Sequence, residues 1–155
     1  MVTGRIEARL IELGHPLPDL VPPVAAYIPA VATGNLVMTA GQLPFVSGVL
    51  VETGKVPNQV SPERAKELTQ ISALNCLAAI KFAIGDLDRI TRIVKVNGFI
   101  ACDPSFTGQP AINNGASEFL GLVFGDAGIH ARSTIGVAVL PLDSPVEVEM
   151  IVEFK

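Results

Sequence analysis

The chain has 155 residues, 49% of them hydrophobic, and a formal net charge of −4; its sequence pI is near 5.1 and its mean hydropathy +0.48. That length suits one domain over residues 1–155 with a sizeable core. The acidic balance and the lack of a Lys/Arg cluster exclude a broad phosphate-binding surface, and no apolar run approaches the ~20 residues needed to span a bilayer. The apolar surplus is therefore expected at a subunit interface, because obligate interfaces are the more apolar ones.

In chain order, Thr3 to Gly14 reads as a short helix, with Thr3 as its cap, Ile6, Leu10 and Leu13 as one stripe, and Gly14 past its end. It belongs to an N-terminal extension over residues 1–20 that is expected to cover a sheet edge. Its charges (Arg5, Glu7, Arg9, Glu12) leave no apolar stretch of signal-peptide type. Pro16, Pro18, Pro22 and Pro23 then hold the chain extended. Tyr27–Val31 and Asn35–Ala40 read as strands turning at Thr33-Gly34-Asn35, with a weaker strand at Val49-Leu50-Val51.

The clearest helix runs from Ser61 to Gly85: Ser61 suits the N-cap, Pro62 the first turn, Glu63 the positive end of the dipole, and Gly85 the stop. Ile90–Ala101 is a strand rich in β-branched residues. A second helix follows over Gln109–Phe124. The last two dozen residues read as two strands joined through Pro141 and Pro145, the second (Val146–Phe154) alternating strictly between apolar and polar. These elements make an α+β plan, with helices on one face of a mixed sheet.

Two charges stand out in that terminal pair, Arg132 and Glu147. If the strands form a hairpin with Leu140 near Val146, Glu147 lies opposite Val139, and at ~3.3 Å per residue Arg132 is roughly 23 Å away. Both can then serve one site only if a second copy of the chain brings them together. Without such a site, Arg132 is a solvated strand-end charge and Glu147 a polar-face residue beside Glu149 and Glu153.

Ala131-Arg132-Ser133, Leu140-Pro141 and Val146-Glu147-Val148-Glu149, with Tyr27, Gly34-Asn35 and Thr39-Ala40-Gly41-Gln42 upstream, resemble the signature of the RidA/YjgF family of enamine/imine deaminases. Members are also called endoribonuclease L-PSP-like. The resemblance covers about residues 22–155 and points to a longer, less characterised branch. It implies a chorismate-mutase-like fold in which three subunits pack their sheets around a central barrel.

It also implies a site. Arg132 would hold a substrate carboxylate, which its planar two-donor fork suits. Glu147 would position or activate water, its pKa raised in a partly dry cleft. Tyr27, Ala40, Gly41 and Asn114 would line the pocket, and Thr134, on the strand face of Arg132, would join the catalytic set by offering a hydroxyl and a backbone carbonyl to the water. Tyr27, Ala40 and Glu147 would come from one subunit, and Asn114, Arg132 and Thr134 from its neighbour. Ala40 and Thr134 stand where the deaminase branch has Ser and Cys, and the neighbouring Asn113 leaves the register of Asn114 open.

The expected ligand is a small carboxylate-bearing imine or keto acid, turned over or merely bound; RNA is a poor partner for so acidic a chain. No cofactor is implied, because an imine is already electrophilic and no phosphate-binding glycine loop is present. His15 and His130 make no metal spacing, and His130 reads as a loop residue two positions from Arg132. Cys76 and Cys102 are isolated and read as buried small hydrophobes, so a reduced, cytoplasmic setting is expected.

Overall fold

A computed structural model describes residues 4–20 and 26–155. Thr3, Pro22 and Pro23 lie outside the described residues. The elements are α1 (Arg5–Glu12), β1 (Ala30–Thr33), β2 (Leu36–Thr39), β3 (Phe45–Val46), β4 (Val49–Leu50), α2 (Pro62–Ile84), β5 (Ile90–Ala101), α3 (Gln109–Phe124), β6 (Ala131–Val137) and β7 (Val146–Phe154). Five strands form one mixed sheet in the order β1-β2-β7-β5-β6, and β3 and β4 form a small separate hairpin.

The helices stop and start for local reasons. Ser61 Oγ accepts from the Arg64 amide at 3.1 Å, and Gly85 ends α2 at φ +83°, where a side chain would be strained. The start of α1 is met from far along the chain. The Asp88 carboxylate accepts from the amides of Arg5 and Ile6, both at 2.7 Å, so the orphan donors of the first turn are satisfied by an anion at the positive end of the helix.

α2 and α3 cross one face of the sheet. Leu77, Ile80, Ala116 and Leu120 pack against Ile93, Val96, Val148, Met150 and Val152 in one buried cluster. Gly115 brings the two helices together, since a Cβ there would run into the Lys66 carbonyl, and Thr69 Oγ1 donates to the Ile112 carbonyl across that contact at 3.0 Å. Rather than covering a sheet edge, α1 packs against α3 and the turn Leu87–Arg89, with Ile6 and Leu10 buried.

Three further sequence expectations need correction. The first strand begins at Ala30, so Tyr27 precedes it and is 52% exposed. The weak strand Val49–Leu50 has a partner that its two-residue length concealed, Phe45–Val46. Most important, β6 and β7 do not form a hairpin: β5 lies between them, parallel to β6 and antiparallel to β7. Both strands meet β5 near Ile100–Ala101 at their connected ends, so residues 138–145 step over the end of β5 rather than turning back on β6. Leu142 and Asp143 take φ near +57° and +58° in this step, and the Asp143 carbonyl holds it down by accepting from the Gly54 amide at 2.8 Å.

Candidate functional site

β6 is an edge strand whose inward side chains meet α3. Arg132 is in register with Val96, and Thr134 with Gly98, so both point to the helix-covered side of the sheet. Two successive asparagines of α3 receive them. Asn113 Nδ2 donates to Thr134 Oγ1 at 2.9 Å, and Arg132 Nη1 donates to Asn114 Oδ1 at 2.7 Å. The two neighbouring asparagines are thereby told apart by their partners. Asn114 serves Arg132, and Asn113, fully buried, serves Thr134. Gly98 makes room for Asn113, because any Cβ at that position would overlap the amide group.

Arg132 Nη1 also donates to Ser117 Oγ at 3.2 Å, one turn along α3 from Asn114. Ser117 Oγ lies 3.0 Å from His130 Nε2, and His130 Nδ1 lies 2.6 Å from the Gly128 carbonyl. Among the described residues Arg132 has no acidic partner. Its two partners are neutral oxygens and both sit on Nη1. The edge formed by Nε and Nη2 is left as a two-donor fork, the geometry that suits a carboxylate.

The other face of the sheet carries the acidic group. On β7 the buried side chains are Val146, Val148, Met150 and Val152, and Glu147, Glu149 and Glu153 project the opposite way. Glu149 accepts from Asn97 Nδ2 at 2.9 Å and Glu153 from Thr91 Oγ1 at 2.6 Å. Glu147 stands opposite Phe99, which has no donor to give. Of the three, Glu147 alone accepts no hydrogen bond among the described residues, a distinction that strand alternation could not supply. Burial first, and then the charge of Glu149, push its carboxyl above the ordinary value.

Gly41 reaches Glu147 through a bulge. Met38 pairs with Ile151 and Gln42 with Val148, so one strand has an extra residue over the same stretch. Within it, Thr39 Oγ1 takes over as acceptor for the Met150 amide at 3.0 Å. The chain then arches at Ala40-Gly41, and a Cβ on Gly41 would collide with the Glu147 carboxylate. Close approach is what this glycine provides, and the group approached is Glu147. Ala40 sits beside it, its carbonyl accepting from Gln42 Nε2 at 3.3 Å.

The expected residues thus form two groups. Arg132, Thr134 and Asn114 gather under α3; Glu147, Gly41 and Ala40 gather on the open face, with Tyr27 exposed ahead of β1. Within one chain the groups are separated by β5. Two strand spacings of ~4.8 Å and three residues of ~3.3 Å put the Cα atoms of Arg132 and Glu147 about 14 Å apart, not 23 Å, but on opposite sides of the sheet. The conclusion that one chain cannot join them survives on different geometry. A groove of about 380 Å³ lies elsewhere, between α2 and α3, and is lined by none of these residues.

Sequence reasoning singled out neither Ser117 nor Asn113 for a role, and read His130 as a loop residue. The faint signal was Asn114 and Ser117 at a spacing of three, which puts both on one helix face. Cys76 and Cys102 are buried; burial pushes the Cys76 thiol strongly up, and its Sγ donates to the Val148 carbonyl at 3.2 Å. Among the described residues, no three His, Cys, Asp or Glu side chains are placed to share a metal ion, and no helix is long and apolar enough to cross a membrane.

Comparison with known proteins gives this geometry a context. A family model described as "YjgF/chorismate_mutase-like, putative endoribonuclease" matches residues 7–154. The chain is 38% identical to protein TCP17 of Trypanosoma cruzi, over 100% of this chain and 98% of that protein. It is 34% identical to the 2-iminobutanoate/2-iminopropanoate deaminase of Dermatophagoides farinae, over 84% of this chain and 87% of that protein. The crystal structure of Atu1372 from Agrobacterium tumefaciens, a protein described as of unknown function, superposes with a TM-score of 0.91 at 42% identity, covering 97% of this chain and 93% of that one. With its mixed sheet, one helix-covered face and end-to-end match to the family model, the chain belongs to the YjgF/chorismate mutase-like family.

Proposed function

We propose that the protein hydrolyses small imino acids at a site shared between copies of the chain in a homotrimer. The observation that carries this reading is the state of Arg132. It is a guanidinium held at Nη1 by two neutral oxygens, with its remaining fork unengaged among the described residues. Such a group is a ready anchor for a substrate carboxylate.

In this reading the imine carbon lies between Arg132 of one copy and Glu147 of the next. Ionised Glu147 takes a proton from water as the water oxygen adds to the C=N carbon. Glu147 passes that proton on towards the nitrogen; as the C–N bond breaks the new hydroxyl gives up its own proton and becomes the keto-acid carbonyl, and ammonia leaves. No redox step occurs, and the enzyme contributes orientation and charge complementarity. The raised pKa of Glu147 supports its role as a proton carrier, since the catalytic range lies above that of an ordinary carboxylate. The 34% identity to an imine deaminase supports the choice of reaction class.

The test is ammonia and keto-acid release from imines generated by an amino-acid oxidase, with light scattering to count subunits. Acceleration by the wild type that is lost in both Arg132→Ala and Glu147→Ala is the expected result. Full activity in a monomer would sink the shared site.

A second reading is a trimeric keto-acid binding protein without turnover. It is favoured by the occupied hydroxyl of Thr134 and by Ala40, which offers no hydroxyl to a water. Keto-acid binding without ammonia release from any imine tested would establish it. RNA cleavage draws no support from a chain of net charge −4 whose β7 presents three carboxylates on one face.

A further inference from the structure

We infer that Ser117 and His130 are positioning residues for Arg132, forming a one-way hydrogen-bond chain that aims the guanidinium fork. The inference rests on the proposed role of Arg132 as a carboxylate anchor.

The direction of the chain follows from what each atom can do. The Gly128 carbonyl can only accept, so His130 Nδ1, 2.6 Å away, carries the hydrogen. In the neutral imidazole Nε2 is then an acceptor. Ser117 Oγ, 3.0 Å away, donates its single hydrogen there. With that hydrogen committed, the serine oxygen offers only lone pairs, and Arg132 Nη1 donates to them at 3.2 Å. With a neutral imidazole every link runs in one sense: Arg132 to Ser117, Ser117 to His130, His130 to Gly128.

Without His130 the serine has a choice. A helical serine readily turns its hydroxyl hydrogen back to the carbonyl four residues earlier, here Asn113, and its lone pairs would swing away from Arg132. Asn114 alone would then hold Nη1, through one bond instead of two, and the plane of the guanidinium could rotate about that bond. Fixing both hydrogens of Nη1 is what leaves Nε and Nη2 facing outward together as a bidentate edge. Ser117 and His130 touch no substrate in this scheme; they act through Arg132.

The test is equilibrium binding of pyruvate to the full-length protein by calorimetry, with imine hydrolysis and thermal melting measured on the same samples. The variants are Arg132→Ala, Ser117→Ala, Ser117→Thr, His130→Phe and His130→Gln. Losing one bond to a charged donor predicts pyruvate binding weaker by about tenfold in Ser117→Ala and His130→Phe. The loss should appear in KM rather than kcat. Ser117→Thr keeps the hydroxyl and His130→Gln keeps an acceptor, so both should bind within about twofold of wild type. If Arg132→Ala loses pyruvate while Ser117→Ala and His130→Phe retain wild-type affinity, the positioning role is overturned and the carboxylate anchor stands. If only the melting temperatures of those two variants fall, their role is structural and the inference is equally overturned. If Arg132→Ala binds pyruvate normally, the anchor falls and this inference falls with it.

Discussion

Gly41 lies directly against the carboxylate of Glu147, brought there by an extra residue between β2 and the Gln42 bridge to Val148. That bulge is a local cost in regular pairing, offset by Thr39 Oγ1 accepting from the Met150 amide. It leaves one acidic side chain with a backbone wall on one side and, among the described residues, no donor.

Gly41→Ala tests this contact. Gly41 has no positive φ, so the backbone accepts alanine, and the group that must yield is the end of a flexible side chain. The fold should survive, with a melting temperature lower by less than about 4 °C for about 1 kcal/mol in a chain of this size. Imine hydrolysis should fall at least about tenfold as Glu147 is displaced, since small misplacement of a catalytic group is costly. Calorimetry and ammonia release on one preparation separate the two effects.

The pH dependence of Glu147 has a definite sign. Burial and Glu149 raise its folded pKa above the unfolded value. Between those two values the folded state binds more protons, so the contribution to stability falls as pH rises through that window. Glu147→Gln should remove that fall and melt higher than wild type at neutral pH. Activity runs the other way: as a base, Glu147 works only once ionised, and the rise of kcat with pH should disappear in Glu147→Gln.

Asp88 carries the opposite sign. Its partial burial works to raise the pKa, but the amides of Ile6 and Arg5 and the charge of Arg5 together outweigh it, and the pKa lies below the ordinary value. Its stabilisation is therefore present above the unfolded carboxylate pKa and lost as pH falls through the lowered folded one. Asp88→Asn should melt below wild type at pH 7, and the two curves should converge in acid. Melting curves from neutral pH to about pH 2, the far end of the carboxylate range, check this.

Gly98→Ala probes the seat beneath the edge strand. The new methyl would overlap the buried amide of Asn113, and α3 cannot retreat without pulling its own buried Ile112 and Ala116 out of the core. Overpacking of this kind costs about 1–3 kcal/mol, which calorimetry would register as a lower melting temperature. Because Asn113 holds Thr134, weaker pyruvate binding should accompany the stability loss.

Much of this was legible from the residues. Ser61, Pro62 and Gly85 announce the ends of α2, and Val146 to Phe154 alternate as a strand with one buried face. These signals are local: a cap is a bond over three residues, and alternation is a property of one strand. The pairing of β7 is not local. A strand with one apolar face satisfies its hydrophobic demand against any neighbour of matching pattern, and the short proline turn made β6 the obvious partner. The twelve-residue β5 could pair along most of β7 while offering its other edge to β6, and more backbone donors and acceptors are satisfied that way.

By itself, the sequence determined the helices, most of the strands and the identity of Arg132 and Glu147 as the charges to examine, and it separated those two only through a hairpin that does not form. Only the tertiary structure decided what keeps them apart. β5 stands between the two strands, so the guanidinium and the carboxylate project from opposite faces of one sheet. The tertiary structure likewise assigned Asn114 and Ser117 to Arg132 and, among the described residues, left Glu147 without a donor. Hydrogen-bond partners are set by how elements pack, and residues 83 or 111 positions apart in sequence become neighbours only after that packing exists.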